Sequence, residues 1–351
     1  FRDEQKQPTA SVVLKMKDNF ALPRSSSMSI VNLVASAVEG LTTSSITLIQ
    51  PPALGQTITA TVYQSGTNIS CFGASDGNID LTPNGGAPSY TYLWSNGSTS
   101  QDLSGLAAGN YSVTVTDLNG CQTTQNITLT EPTPLSQSIS AFVYPSGTNI
   151  SCFGASDGSV DLTINGGVGP YNYVWSNGAT SQDLTNVTAG TYDVIVTDAL
   201  GCQITSTITL TQPPSLSQSI VGFQYPSGTN VSCFGASDGS IDLTIAGGNP
   251  GYSYQWNTGA TTEDLTGVPA GSYTVVATDP NGCTVNSSIT LVQPTALTID
   301  LSAFSYIGGN NVSCTGASDG SIDLTVGGGS PGYTYSWSTG GTNQDISGIP
   351  A

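Results

Sequence analysis

Histidine is absent from these 351 residues, and after Arg24 there is neither lysine nor arginine, since Arg2, Lys6, Lys15, Lys17 and Arg24 are the whole basic complement. Each absence excludes a kind of chemistry. Without histidine or lysine, a serine or cysteine nucleophile lacks a conventional base. Without arginine or lysine, the chain past position 24 cannot neutralise phosphates, which sets aside nucleic acid and anionic lipid as partners. Missing lysine also excludes Lys–Asn and Lys–Asp isopeptide crosslinks from that region. No apolar run is long enough to span a bilayer, the longest being 29–38, interrupted by Asn32, so no membrane insertion is expected in this segment. No signal peptide is visible at Phe1, and the chain reads as a mature or excised segment.

What is present is strongly periodic. The cysteines fall at Cys71, Cys121, Cys152, Cys202, Cys233, Cys283 and Cys314, with 50 residues inside each pair and 81 from pair to pair. A strict period marks a tandem array of one structural unit. Long fixed spacings with no C-x-x-C and no histidine suit disulfides in an oxidising compartment better than zinc. The spacing predicts one disulfide per repeat: Cys71 with Cys121, Cys152 with Cys202, Cys233 with Cys283, and Cys314 with a residue beyond the chain end. Closing a loop of about 50 residues would stabilise each domain by up to about 4 kcal/mol in the chain-entropy view. Each full repeat carries five acidic residues and no basic ones, and this repulsion favours an extended string.

The second copy shows how a repeat should fold. Residues 138–144 (SISAFVY) alternate polar and apolar, 159–164 (SVDLTI) do so again, and 171–175 (YNYVW) are closed by the hairpin signal Ser176-Asn177-Gly178. Leu184 and Val187 anchor a short connection, 190–198 form the clearest strand, and Ala199-Leu200-Gly201 turns the chain into Cys202 and a last strand. Six or seven short strands with turns every 8 to 12 residues and no helical period predict an all-β fold: tandem immunoglobulin-like β-sandwich domains arranged as an extended fibre. Trp175 is placed as a core tryptophan and Tyr192 as a tyrosine corner. The boundaries are a basic segment at 1–25, extended or disordered; a partial repeat or donor-like strands at 26–52; repeats at 53–133, 134–214 and 215–295; and a fourth at 296–351 that stops before its last two strands.

The motifs C-F-G-A-S-D-G-S-V-D-L-T from Cys152, then G-G-x-x-P-Y-x-Y-x-W-S-x-G, then A-G-T-Y-x-V-x-V-T-D-x-x-G-C ending at Cys202, together resemble the SprB repeat. The resemblance covers 54–351, with small departures: Thr315 replaces the phenylalanine of C-F-G, and Ser89 replaces the proline or glycine before the first tyrosine. It implies a repeat region of a very large Bacteroidetes surface adhesin of the gliding-motility type, exported by the type IX secretion system. The implied location is extracellular or cell-surface. The implied partners are other copies or neighbouring repeats in a fibre, and a surface polysaccharide or a host or substratum surface.

Two recurring features are candidate sites. The stripe Tyr171, Tyr173, Trp175 and its counterparts lie on one strand face, either as a sugar-stacking platform or as core. The opposite face carries Leu93, Val174, Gln255 and Ser336, a tolerance that suits solvent, so the aromatics are read as core. The aspartates Asp76, Asp80, Asp157, Asp161, Asp238 and Asp242, in S-D-G-x-x-D, are candidate Ca²⁺ ligands, although calcium needs six to eight oxygens and no EF-hand spacing is present. The plainer reading is an Asx turn followed by an outward strand residue. No other cofactor is expected. No copy has an inserted cleft-forming loop, so no catalytic residue is assigned and the chain is read as no enzyme. Residues 44–54 match 125–135, so the region before repeat 1 resembles the end of a repeat, and strand complementation between chains is the alternative to a simple stalk.

Overall fold

The computed structural model describes residues 52–351, and every regular element among them is a strand. Repeat 1 contributes β1 (Gly55–Ala60), β2 (Gly77–Asn84), β3 (Thr91–Trp94), β4 (Leu103–Leu106), β5 (Gly109–Thr116) and β6 (Gln122–Leu129). Repeat 2 contributes β7 (Ser136–Ala141), β8 (Gly158–Asn165), β9 (Asn172–Trp175), β10 (Leu184–Val187), β11 (Gly190–Thr197) and β12 (Gln203–Leu210). Repeat 3 contributes β13 (Ser217–Gly222), β14 (Gly239–Ala246), β15 (Ser253–Trp256), β16 (Leu265–Val268), β17 (Gly271–Thr278) and β18 (Thr284–Leu291). Repeat 4 has β19 (Thr298–Ala303), β20 (Gly320–Gly327) and β21 (Ile346–Ile349). The basic segment 1–25 and the partial repeat at 26–52 lie, Pro52 apart, outside the described residues.

Each six-stranded repeat makes two three-stranded sheets, one from its first, second and fourth strands and one from its third, fifth and sixth. In repeat 1 all pairings are antiparallel, with Ile58 opposite Leu81, Trp94 opposite Val113 and Tyr111 opposite Ile127. Alternation decides which face turns inward. In β2, Ile79 and Leu81 are buried while Asn78 and Asp80 are exposed. The inward residues meet as one core, Ile69, Ile79, Leu81, Trp94, Leu103, Val113, Val115 and Leu129, and repeat 3 builds the same core from Ile241, Leu243, Trp256, Leu265, Val275 and Leu291. This is the immunoglobulin-like sandwich read from the sequence. By packing, the chain divides into two compact units. One holds the described residues up to Ile139 with Leu162–Gln182 and Asp193–Thr207; the other holds Ser140–Asp161, Asp183–Tyr192 and Ile208–Ala351.

The expected aromatic roles hold. Trp94, Trp175 and Trp256 are no more than 2% exposed, and each indole N–H donates to the carbonyl six residues on, at Ser100, Ser181 and Thr262. Tyr111, Tyr192 and Tyr273 donate their hydroxyls to the carbonyls of Ala107, Thr188 and Pro269, which is the tyrosine corner. Leu93 and Val174 are exposed on the other face.

Two local devices shape the repeat. Where β4 slips against β2, the bulge needs a left-handed residue, supplied by Gly105 (φ 68°) and Gly267 (φ 68°) and in repeat 2 by Asn186 (φ 56°), the side chain that best tolerates it. In the N-G-G turn after β2, Gly85 is at φ +68° and a Cβ there would lie 2.0 Å from the Ala53 carbonyl; Gly247 meets Ser215 in the same way. The linker thus lies directly on the turn, and Gly86 N–H donates to Pro52 O at 2.8 Å.

The disulfide expectation fails. The bonds are Cys71–Cys202 and Cys152–Cys283, each spanning 131 residues with Cα atoms 5.7 Å apart. They join the first cysteine of one repeat to the second cysteine of the next. None of the expected pairs Cys71–Cys121, Cys152–Cys202 or Cys233–Cys283 forms. The reason is strand length. Asn68 and Ile69, just before Cys71, donate to Thr130 O beyond the end of β6, whereas Cys121 precedes its start. Eight residues of strand cover about 26 Å, far more than the roughly 4.4–6.8 Å between Cα atoms that a disulfide permits. In repeat 3, Asn230 and Val231 likewise donate to Val292 O, at the opposite end of β18 from Cys283. With Cys283 bonded to Cys152, Cys233 is left exposed and unpaired, as is Cys314.

Candidate functional site

Among the described residues, side chains of two repeats are built into a single polar and covalent arrangement at the stapled joints. Each side of the staple is prepared by an aspartate, and each aspartate belongs to a short turn the sequence makes by itself.

On the side of the first cysteine, the loop between the first two strands folds back on S-D-G. Asp76 Oδ1 accepts the Ser70 amide at 3.2 Å and Oδ2 accepts the Tyr63 hydroxyl at 2.9 Å, fixing the residue before Cys71. Asp157 holds Ser151 and Tyr144 at the same distances. Burial works against the charged form of Asp76 and Asp157, but the hydrogen bonds from Ser70 and Tyr63, and from Ser151 and Tyr144, outweigh it and hold both carboxyls below the usual aspartate range. For Tyr63 and Tyr144 the hydrogen bond to the aspartate is the largest influence and raises the phenol. Phe142, more than half exposed, packs edge-on against Tyr144 with centroids 5.0 Å apart.

On the side of the second cysteine, D-x-x-G-C closes a tight turn over a buried aspartate. Asp198 Oδ1 accepts the amides of Leu200 and Cys202, both at 2.9 Å, and Oδ2 accepts that of Val168 at 2.9 Å. Asp279 does the same for Asn281, Cys283 and Asn249. In Asp117, the equivalent residue of repeat 1, burial opposes ionisation, yet the amides of Ala87, Cys121 and Asn119 lower the pKa. These aspartates are 3–5% exposed, and a buried carboxylate with three amide donors is a rigid mount for the cysteine.

The joint closed by Cys152–Cys283 adds a bridge across the repeats. Asn281 Nδ2 donates to Ser151 O and Ser146 Oγ, both at 3.1 Å, and Asn249 Nδ2 contacts Ser151 O at 3.4 Å and Asp279 Oδ2 at 3.2 Å. A continuous polar chain thus runs from Tyr144 through Asp157, Ser151 and Asn281 towards Asp279 and Cys283. The sequence showed the recurring Asp117, Asp198 and Asp279 but gave them no part in a joint. The signal available was D-x-x-G-C, a turn with its cysteine at one end of a long strand.

Of the calcium candidates, Asp76, Asp157 and Asp238 each commit both carboxylate oxygens to a serine amide and a tyrosine hydroxyl. Asp80 and Asp242 stand outward in mid-strand, opposite Thr59 and Val221, and Asp161 is likewise exposed in β8. Among the described residues no group of three or more His, Cys, Asp or Glu side chains could hold a metal ion.

Fold and joint define the class: a tandem array of immunoglobulin-like β-sandwiches crosslinked from repeat to repeat. The family follows from the repeat itself. The SprB repeat model matches four times, at residues 64–99, 146–180, 227–261 and 310–342, and the chain is a SprB-type repeat region. A second model, the secretory protein of YscJ/FliF RBM domain, matches residues 1–53, almost all of which lie outside the described residues. No curated protein matches the sequence. Among solved structures, the N-terminal eight Ig domains of Down Syndrome Cell Adhesion Molecule are 10% identical over 81% of this chain, with a TM-score of 0.28, and this chain spans about half (52%) of theirs. A 1.5-MDa bacterial ice-binding adhesin is 14% identical over 70% of this chain and 98% of its own, with a TM-score of 0.33. The C-terminal fragment of intimin, solved with the intimin-binding domain of its translocated receptor, is 13% identical over 47% of this chain and 67% of its own, at 0.26. Scores this low carry no argument about binding.

Proposed function

We propose that this chain is the structural and adhesive repeat region of a secreted bacterial cell-surface fibre, a stalk used in attachment or gliding and exported by the type IX route. The observation that carries the reading is the run of four SprB repeats. The cross-repeat disulfides support it, because they require an oxidising compartment. So does a surface whose repeats carry acidic residues and no basic ones, which keeps neighbouring fibres apart. Among the described residues no helix is long and apolar enough to cross a membrane. The chain's work is holding and spacing; it is no enzyme, and its partners are neighbouring repeats, other copies, and the polysaccharide or solid surface to which the cell attaches. Antibodies raised against the repeats should label intact, unpermeabilised cells, and cells lacking the chain should attach or glide poorly. Labelling only after permeabilisation, or unchanged attachment and gliding, would overturn the proposal.

A filament subunit assembled by strand complementation is the second reading. It is favoured by residues 44–54, which match 125–135, the end of repeat 1, and so carry the pattern of a strand that could be donated to another copy. Electron microscopy of purified chain separates the two: polymers that grow with concentration support complementation, and monomers of fixed length support the stalk.

A further inference from the structure

We infer that the overlapping staples make the segment from Cys71 to Cys283 an extension-limited tether, in which three covalent strands run in parallel between two junctions. The inference goes beyond the surface-fibre reading and stands whatever the array binds. Its basis is connectivity. Cys71 and Cys202 are joined within one compact unit, and Cys152 and Cys283 within the other. Along the chain the order is 71, 152, 202, 283, so the two bonded spans overlap instead of following one another.

Take each bond as a junction. Three backbone segments then connect the Cys71–Cys202 junction to the Cys152–Cys283 junction: 71–152, 152–202 and 202–283. The outer two are each one 81-residue period long, and the middle one is shorter. Separating the junctions stretches all three at once and stops when the shortest is taut. That segment is about 50 residues, and an extended chain covers at most about 3.3–3.6 Å per residue, which sets the limit near roughly 170 Å. The same region without crosslinks is about 210 residues and would reach roughly 700 Å. The shortest path crosses repeat 2 backwards, from Cys202 to Cys152, through β11, β10, β9 and β8. Repeat 2 therefore cannot unravel under load without the flanking segments taking load beside it. Disulfides inside each repeat would instead make closed rings in series, joined by single strands.

The aspartate turns give the device its precision. Asp76 and Asp157 fix the residue before one cysteine, and Asp198 and Asp279 fix the amide of the other. A cysteine mounted this way is presented to its partner in the next repeat and held away from the one in its own.

The test is single-molecule force spectroscopy on the full chain pulled from its two ends. In the oxidised chain, the region between Cys71 and Cys283 should contribute about 50 residues of contour, or roughly 170 Å. Replacing both Cys152 and Cys283 by serine should lengthen it to about 80 residues, roughly 280 Å, and so should the Cys71→Ser, Cys202→Ser pair. A phosphine reductant should release the whole region, roughly fourfold the oxidised length. Equal contour lengths for the oxidised and reduced chains, or a double variant that behaves like the parent, would refute the tether. Peptide mapping without reduction reads the bonds independently of any variant's folding. It needs an acid-directed protease, since trypsin has no site past Arg24. Linked peptides containing Cys71 with Cys202 support the inference, and Cys71 linked to Cys121 overturns it.

Discussion

The joint closed by Cys71–Cys202 and the joint closed by Cys152–Cys283 have the same 5.7 Å between Cα atoms and the same aspartate on either side, yet their walls differ. Where the first has Val168 and Leu200, whose side chains carry no donor, the second has Asn249 and Asn281, which reach across to Ser151 and Ser146. One joint thus combines a staple with apolar side chains, the other a staple with a polar bridge. The bond is the shared element, and the wall around it is free to vary from joint to joint.

The largest way to break the comparison is to remove a staple. Closing a loop of about 130 residues stabilises by about 5 kcal/mol in the chain-entropy view, so the Cys71→Ser, Cys202→Ser pair should lower the denaturant midpoint markedly. The Cys152→Ser, Cys283→Ser pair should lower it less, because Asn249 and Asn281 still hold that joint. Equal losses would show that the polar bridge contributes nothing. The aspartate mounts come next. Asp279→Ala orphans three amides and loses the Asn249 side chain, an expected cost of about 3 kcal/mol, with Asp198→Ala about 1 kcal/mol milder. Calorimetry of the two variants would read the difference. A smaller effect is expected from giving the second joint the first joint's wall: Asn281→Leu should cost about 1 kcal/mol, and Leu200→Asn should recover a similar amount in the first.

Acid gives the smallest effect and should act on both joints alike. Asp76 and Asp157 have folded-state pKa values below the reference 3.8, since hydrogen bonds to the charged form outweigh burial. Their contribution is present above that value and is lost as pH falls from it through the lower folded value. Amide exchange at Ser70 and Ser151 should accelerate together in that window; acceleration at only one of them would show that the two loops are not equivalent.

Repeat 4 shows what the last strands do for the core. Ile241 is 1% exposed and Leu243 1%, whereas the equivalent Ile322 is only partly buried and Leu324 is 8% exposed. Strands β20 and β21 still pair, with Ile322 opposite Ile346, because backbone pairing within the first sheet needs no second sheet. Burial does. Alternation in β2, β8, β14 and β20 is therefore legible from the residues alone, while the depth at which those residues sit depends on strands far along the chain.

The same division separates what was legible about the site from what was not. Alternating apolar residues, N-G-G and S-N-G turns, the mid-strand tryptophan and the tyrosine corner are local signals, each imposed by pleat geometry or by φ at a single residue. From them the sandwich and its core could be read, and the cysteine period set the repeat length. The cysteine partners could not. A period of 81 and a spacing of 50 fit a bond inside a repeat and a bond between repeats equally well as counts, and only distance chooses. The sixth strand runs the length of the domain and carries its cysteine to the far end from the first. The sequence by itself determined which residues form the strands and set the cysteines at a spacing that suits disulfides. The tertiary structure alone decided that each pair spans two repeats, because a disulfide bridges a few ångströms and the sandwich is several times longer than that.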